Sequence, residues 1–224
     1  MMCQQMQTER VRIRAESIEL EGTLRLPEVR AGVVLFAHGG AGNRLSPSND
    51  YVGSILRAAR FATLWVDLLA PHEMRNLHTR FDVPLLTKRL DAACDWLRQQ
   101  EETRDLPLGL FGAGHASAAA LQSAASRGSE IAGIVSRGGR PDLAGQHALA
   151  RIAAPTLLIV GGLDEAVIQM NRTAYASLRC KKRFEIIPGA THLFEEPGNL
   201  EVVARLARSW FQSHFHTRAS SLYA

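Results

Sequence analysis

Two patterns of hydrophobic and polar positions divide the chain. Near the start, apolar and polar residues alternate over 11–14, 18–20 and 24–26, with Gly22 before the last segment. A period of two is that of a half-buried strand, so this region predicts an antiparallel hairpin. Farther along, continuous apolar runs occupy 33–37, 62–66, 108–111, 131–135, 156–160 and 184–187. Such runs are typical of parallel strands that are covered on both faces.

Segments with helical spacing separate these runs. They lie at 51–60, 85–100, 116–126, 167–178 and 200–215. Strands that alternate with crossover helices form a parallel, doubly wound sheet, so we predict the α/β class. The length of 224 residues suits one domain over 1–224. We expect its ends, 1–9 and 216–224, to be frayed, and 70–83 to form a small polar flap.

Composition and charge narrow the possible partners. The chain has 26 Lys and Arg against 22 Asp and Glu, and the basic residues are scattered rather than clustered. We therefore predict no nucleic-acid partner. The cysteines, Cys3, Cys94 and Cys180, lie far apart without a metal or disulfide spacing, which favours a reducing compartment. No apolar run approaches the ~20 residues of a membrane span, and no signal peptide is evident, so we expect a cytoplasmic protein without membrane contact.

Candidate chemistry follows the apolar runs, because ligands of an open parallel sheet gather at the carboxyl ends of its strands. Five segments hold this position: 38–42 (HGGAG), 112–116 (GAGHA), 136–140 (SRGGR), 161–164 (GGLD) and 189–192 (GATH). We expect a small-molecule ligand to bind where they meet. The glycines at 39, 40 and 42 complete no nucleotide-binding motif, and no local spacing supports a metal site, so we predict no cofactor. The sequence leaves the oligomeric state open.

These segments resemble the α/β-hydrolase superfamily, in particular its small dienelactone hydrolase-like members with little or no cap domain. The resemblance spans nearly the whole chain and is carried by the HGG at His38, the GLD ending at Asp164 and the GATHLF around His192. It implies Asp164 as the triad acid and His192 as the general base, in the family's chain order. It also implies an oxyanion hole near Gly40, Ala41 and His115, with His38 bracing its loop.

The nucleophile turn departs from the family's G-x-S-x-G pattern. Aligned with it, Gly114 stands where the serine belongs and Ala116 replaces the last glycine. Glycine has no side chain to attack a carbonyl, so an acyl-enzyme route is closed. Ser117 lies three positions later on a predicted helix, a rotation of about 300°, which aims its hydroxyl elsewhere. The sequence does not determine whether the His115 ring enters the pocket.

Three functions remain open for this degenerate triad. The Asp164–His192 pair can activate water to attack an ester or lactone, since general acid–base catalysis accelerates such reactions by about 10²–10⁴-fold. A non-hydrolytic acid–base enzyme, such as a lyase, isomerase or cyclase, can use the same pair. A catalytically inactive protein can retain the pocket for binding. A defined product separates the first two, and saturable binding without turnover indicates the third.

Structural roles compete with several of these assignments. Asp164 is also well placed as the N-cap of a helix that starts near residue 165. Arg137 and Arg140 can bind a substrate carboxylate as guanidinium forks, but Arg140 can equally pair with a nearby acid. His192 can be a loop histidine bonded to backbone, and His38, which is a substrate-binding candidate together with the two arginines, can instead only brace its loop.

Overall fold

The computed structural model describes residues 6–38 and 47–215. They form one eight-stranded sheet: β1 (Met6–Ala15), β2 (Ile18–Pro27), β3 (Gly32–His38), β4 (Phe61–Asp67), β5 (Leu108–Ala113), β6 (Ile131–Arg137), β7 (Thr156–Gly161) and β8 (Lys182–Ile187). The spatial order is β1-β2-β4-β3-β5-β6-β7-β8. The β1–β2 and β2–β4 pairs are antiparallel and all others are parallel. The predicted α/β class, opening hairpin and parallel sheet are confirmed.

Helices cover both faces of this sheet. In chain order they are α1 (Pro47–Ala58), α2 (Leu77–Arg80), α3 (Val83–Gln99), α4 (Ala116–Arg127), α5 (Gln146–Arg151), α6 (Glu165–Ser177) and α7 (Asn199–His214). Short 3₁₀ turns lie at Glu73–Arg75, Gly128–Glu130 and Pro141–Ala144. Every helix predicted from apolar spacing is present. The two short helices α2 and α5 were not predicted, since four to six residues are too few to show a periodicity.

Two apolar layers hold the helices to the sheet. On one face α1 and α7 pack over Phe36 and Trp65, whose rings stack 3.7 Å apart. On the other face α3 and α4 pack over Leu35 and Leu110. Alternate residues of each central strand point into opposite layers. Because both layers are apolar, the sequence of each strand is a continuous apolar run.

The first strand begins earlier in the chain than the sequence predicted. Residues 6–9, expected to be frayed, belong to β1, where Met6 pairs with Pro27 and Glu9 with Leu24. The β1 strand therefore begins five residues before the alternation that predicted it at Val11. Polar residues at a solvent-exposed edge give no alternation to detect, because both faces of that stretch are largely exposed. The expected fraying of 216–224 lies outside the described residues.

The flap predicted over 70–83 is a folded excursion anchored to α3. Arg89 of α3 donates two hydrogen bonds of 2.6 Å to the Glu73 carboxylate and one of 2.8 Å to the Leu68 carbonyl. The Arg89 hydrogen bonds hold the pKa of Glu73 below its usual range. Farther along, Asp82 caps α3 by accepting from the Leu85 N–H at 3.0 Å. Both ends of the excursion are thus fixed, and α2 is held at the carboxyl edge of the sheet.

Candidate active site

The turn between β5 and α4 is sharp and depends on glycine. A Cβ atom at Gly112 would lie 2.5 Å from the Ser117 Cα, so only glycine lets the helix start this close to the strand. Gly114, at the tip, has a φ of +55°, and a Cβ there would meet no atom of residues 6–38 and 47–215 within 4 Å. These residues therefore leave the cavity side of Gly114 uncovered.

The residues predicted as triad acid and general base, Asp164 and His192, lie on two neighbouring loops and are in contact. His192 Nδ1 lies 2.9 Å from Asp164 Oδ2. The second carboxylate oxygen of Asp164 accepts from the Val167 N–H at 3.4 Å, so this residue also caps α6. The capping role and the orienting role weighed from the sequence therefore coexist. The contact to Nδ1 leaves Nε2 as the nitrogen that can exchange a proton with a substrate or a water.

Close backbone packing sets the position of the histidine loop. A Cβ at Gly161, the last residue of β7, would lie 2.4 Å from the Thr191 carbonyl oxygen. A Cβ at Gly138, where φ is +50°, would lie 3.1 Å from the His192 carbonyl oxygen. Glycines at two strand ends thus let the loop settle directly on the sheet.

A carboxylate braces the same loop from its other side. Glu196 accepts hydrogen bonds from the Thr191 N–H at 3.0 Å and from the Asn199 side-chain amide at 2.9 Å. These hydrogen bonds lower the pKa of Glu196 to about 2. Its carboxylate therefore stays ionised over the whole neutral range, and the loop that carries His192 keeps this brace. Sequence reasoning missed Glu196 because nothing in its local pattern indicates a backbone partner five residues earlier.

A cavity of about 220 Å³ joins Gly114, His115 and His192. Phe81 and Arg80 from the α2 excursion, together with Leu193, line its mouth. These three residues were not predicted, although 70–83 was recognised as a flap. The only available signal was its polarity, which does not show which side chains turn inward.

His115 does enter the cavity, which the sequence left open. Its ring lies 4.2 Å from the Phe81 ring, centre to centre. Burial, followed by the positive charge of Arg140, lowers the pKa of His115, and the charges of Arg80 and His192 act in the same direction. The ring is therefore neutral at pH 7, because its ordinary pKa is already near 6.5.

The two candidate arginines have different surroundings. Arg140 donates to both oxygens of Asp142, from Nε at 2.9 Å and from Nη2 at 2.8 Å, and it does not line the cavity. The pairing alternative weighed for Arg140 is the one observed. Arg137 lines the cavity, and its buried Nε has no hydrogen-bond partner in the part of the chain that the structure describes.

The other residues weighed as site residues lie outside the described parts of the chain or point away from the cavity. Gly40 and Ala41 lie outside the described residues, and His38 ends β3 with its side chain outside the description. Ser117 is buried and donates its hydroxyl to the Gly114 carbonyl at 2.7 Å, so it does not point into the cavity.

Burial raises the pKa of Cys94 to about 12, which keeps this thiol protonated and unreactive. In the described part of the chain, no three His, Cys, Asp or Glu side chains are grouped to hold a metal ion. The helices described there are all too short or too polar to cross a membrane.

The sheet order, the β5–α4 turn and the Asp–His contact are those of an α/β-hydrolase. The crystal structure of dienelactone hydrolase from Anabaena variabilis is 47% identical, with a TM-score of 0.89, over 95% of this chain and 100% of that one. The chain belongs to the dienelactone hydrolase family. Est1E from Butyrivibrio proteoclasticus shares the fold at 15% identity and a TM-score of 0.78, over 92% of this chain and 98% of that one.

Two curated proteins that are similar in sequence carry a different name from the structural neighbours. A Mycobacterium tuberculosis H37Rv protein named "Putative phosphoribosyl transferase Rv0571c" is 48% identical over 206 residues, which are 92% of this chain and 46% of that protein. The counterpart from strain CDC 1551 matches equally. The chain thus spans about half the length of the curated relatives it matches, and their name describes the longer protein. No protein-family model matches the chain.

Proposed function

We propose that this protein hydrolyses a small ester or lactone with the Asp164–His192 pair acting on water, in place of the family's serine nucleophile. The observation that carries the proposal is the 2.9 Å contact between Asp164 and His192 beside a cavity that reaches Gly114. Gly114 stands at the tip of the turn where the family pattern has serine. Its open side leaves room for a water or a substrate oxygen.

The reaction needs only proton transfers at His192. Its Nε2 accepts a proton as water adds to the carbonyl carbon, and Asp164 stabilises the imidazolium that forms. The tetrahedral intermediate then expels the alkoxide, which takes the same proton back. The backbone N–H groups of His115 and Ala116, at the start of α4, support the negative oxygen in this step.

The substrate is expected to be small and to meet positive charge. The cavity of about 220 Å³ has room for a compact ester or lactone, and Arg137 extends from the end of β6 into it. We assign Arg137, rather than the paired Arg140, to substrate binding. Without a covalent intermediate, acid–base catalysis of about 10²–10⁴-fold sets a modest rate.

Hydrolysis of a panel of activated esters and lactones tests the proposal in three proteins: the chain as it stands, His192→Ala and Gly114→Ser. We expect turnover in the first and its loss in His192→Ala. Unchanged turnover in His192→Ala contradicts the proposal. Turnover in Gly114→Ser alone contradicts it as well, since the pocket would then be a hydrolase site that lacks its nucleophile. Identification of the product separates hydrolysis from lyase or isomerase chemistry.

A further inference from the structure

Arg137 is a largely buried cation with a fully enclosed Nε, and it forms no ion pair with residues 6–38 and 47–215. It ends β6 between Ala113 of β5 and Ile159 of β7, in the middle of the sheet. Burial lowers the pKa of Arg137, and no neighbouring charge contributes to this shift. A guanidinium stays protonated in proteins nevertheless. A largely buried positive charge that lacks a protein partner is costly, and a ligand with negative charge would offset that cost.

Among the described residues, no acid lines the cavity that receives Arg137. Arg80 is a second cation in its wall, and the imidazoles of His115 and His192 are the other ionisable groups of the described lining. Two neighbouring carboxylates already have partners, because Asp164 contacts His192 and Asp142 pairs with Arg140. The charged side chains in the described part of the wall are therefore positive.

The start of α4 opens into the same space. This helix has 12 residues, and its first turn uses the Ser117 and Ala118 N–H groups in bonds to Gly114 and His115. The N–H groups of His115 and Ala116 have no acceptor within 6–38 and 47–215. Because Gly114 lacks a side chain, nothing of that residue covers them from the cavity side. Free N–H groups at a helix N-terminus favour an anion.

We propose that this cavity binds a phosphate group, with Arg137 and the first N–H groups of α4 as its ligands. Two cations that have no carboxylate partner within 6–38 and 47–215, together with a helix N-terminus, match a group of charge −1.5 to −2 better than a singly charged carboxylate. Inorganic phosphate and the phosphate of a small monoester present the same oxygens. The site is a binding site whether or not the proposed hydrolysis takes place.

Titration calorimetry of the full chain at constant ionic strength tests this. The probes are inorganic phosphate, phenyl phosphate and acetate. We expect saturable binding of phosphate with one site per chain, weakened at least about tenfold by Arg137→Gln. Arg208→Gln, which removes the same charge from the exposed face of α7, is the control and should bind unchanged. Tighter binding of phenyl phosphate identifies a monoester as the ligand, and equal binding identifies the free ion.

A second pair of variants keeps the test independent of Arg137. Asn and Asp both tolerate a positive φ, and position 114 has space for either side chain. Gly114→Asp places a negative charge in the site and should weaken phosphate binding far more than the isosteric Gly114→Asn, which fills the same space without a charge. Absence of saturable binding, tighter binding of acetate, or equal phosphate affinity in Gly114→Asp and Gly114→Asn overturns the proposal. Since calorimetry measures binding and no carboxylic ester or lactone is present, these results are separate from those of the hydrolysis assay.

Discussion

Asp164 holds two neighbours, one through each oxygen of its carboxylate. One oxygen contacts the His192 ring and the other caps α6. Asparagine is an equally good cap but cannot stabilise an imidazolium, so Asp164→Asn separates the roles. We expect Asp164→Asn to retain wild-type stability while any turnover falls by about 10²-fold or more.

Asp164→Ala is the matched comparison, since it loses both contacts. Loss of the cap costs about 1 kcal/mol, which lowers the melting temperature by about 2–4 °C in a chain of this length. Thermal unfolding followed by circular dichroism, alongside the ester assay, measures both effects. A melting temperature lowered equally in the two variants would show that the cap does not distinguish Asn from Ala here.

The pKa of His115 depends on how deeply its ring is buried in the cavity. Burial is the largest cause of its lowered pKa, and Phe81 lies against its ring. Phe81→Ala should therefore raise the pKa of His115 toward 6.5. Leu77→Ala removes an exposed side chain from the same excursion without touching the cavity and serves as the control. An NMR titration of the imidazole carbon resonances measures the pKa, and an unchanged value in Phe81→Ala contradicts this account.

The lowered pKa of His115 also makes the free energy of unfolding depend on pH. Because the pKa of His115 is lower in the folded state, the unfolded chain binds more protons as the pH falls below about 6.5. The contribution of His115 is complete above that pH and is lost as the pH falls through the folded-state pKa. His115→Gln should therefore show a smaller decrease in the free energy of unfolding between pH 7 and pH 5 than the parent.

At the scale of elements, the approach of a helix to its strand determines where the site can form. The β5–α4 junction is the tightest example, since a Cβ at Gly112 would meet the backbone of Ser117 at 2.5 Å. Backbone cannot rotate away as a side chain can. Gly112→Ala should cost about 1–3 kcal/mol through overpacking.

Gly133 provides a control on the neighbouring strand β6. A Cβ there would lie 3.6 Å from the nearest atom, on the Phe211 side chain, which is an ordinary contact. Gly133→Ala should therefore be neutral or slightly stabilising, since it also reduces the entropy of the unfolded chain. Denaturant unfolding of the two variants measures the difference. Equal stability of Gly112→Ala and Gly133→Ala would mean that α4 can shift without cost.

Across the whole molecule, the architecture was more predictable than the site. The strand order along the chain and the five long helices were predicted, since both follow from local periodicities of apolar residues. The start of β1 and the helices α2 and α5 were not, because pairing at an edge and very short helices leave no periodic signal. For the site, the family resemblance predicted the Asp164–His192 pair, which the structure brings into contact, whereas Phe81 and Glu196 had no signal of their own.

The sequence by itself determined the fold class, the positions of the strand ends and the absence of a hydroxyl at residue 114. These are properties of single residues or of short repeating patterns, which the chain carries before it folds. Only the tertiary structure decided that the His115 ring lies in the cavity, that Arg140 pairs with Asp142 and that the Arg137 Nε has no hydrogen-bond partner among the described residues. Which charges meet depends on strand register and loop path, so residues that look alike in the sequence, such as Arg137 and Arg140, acquire different chemistry in the fold.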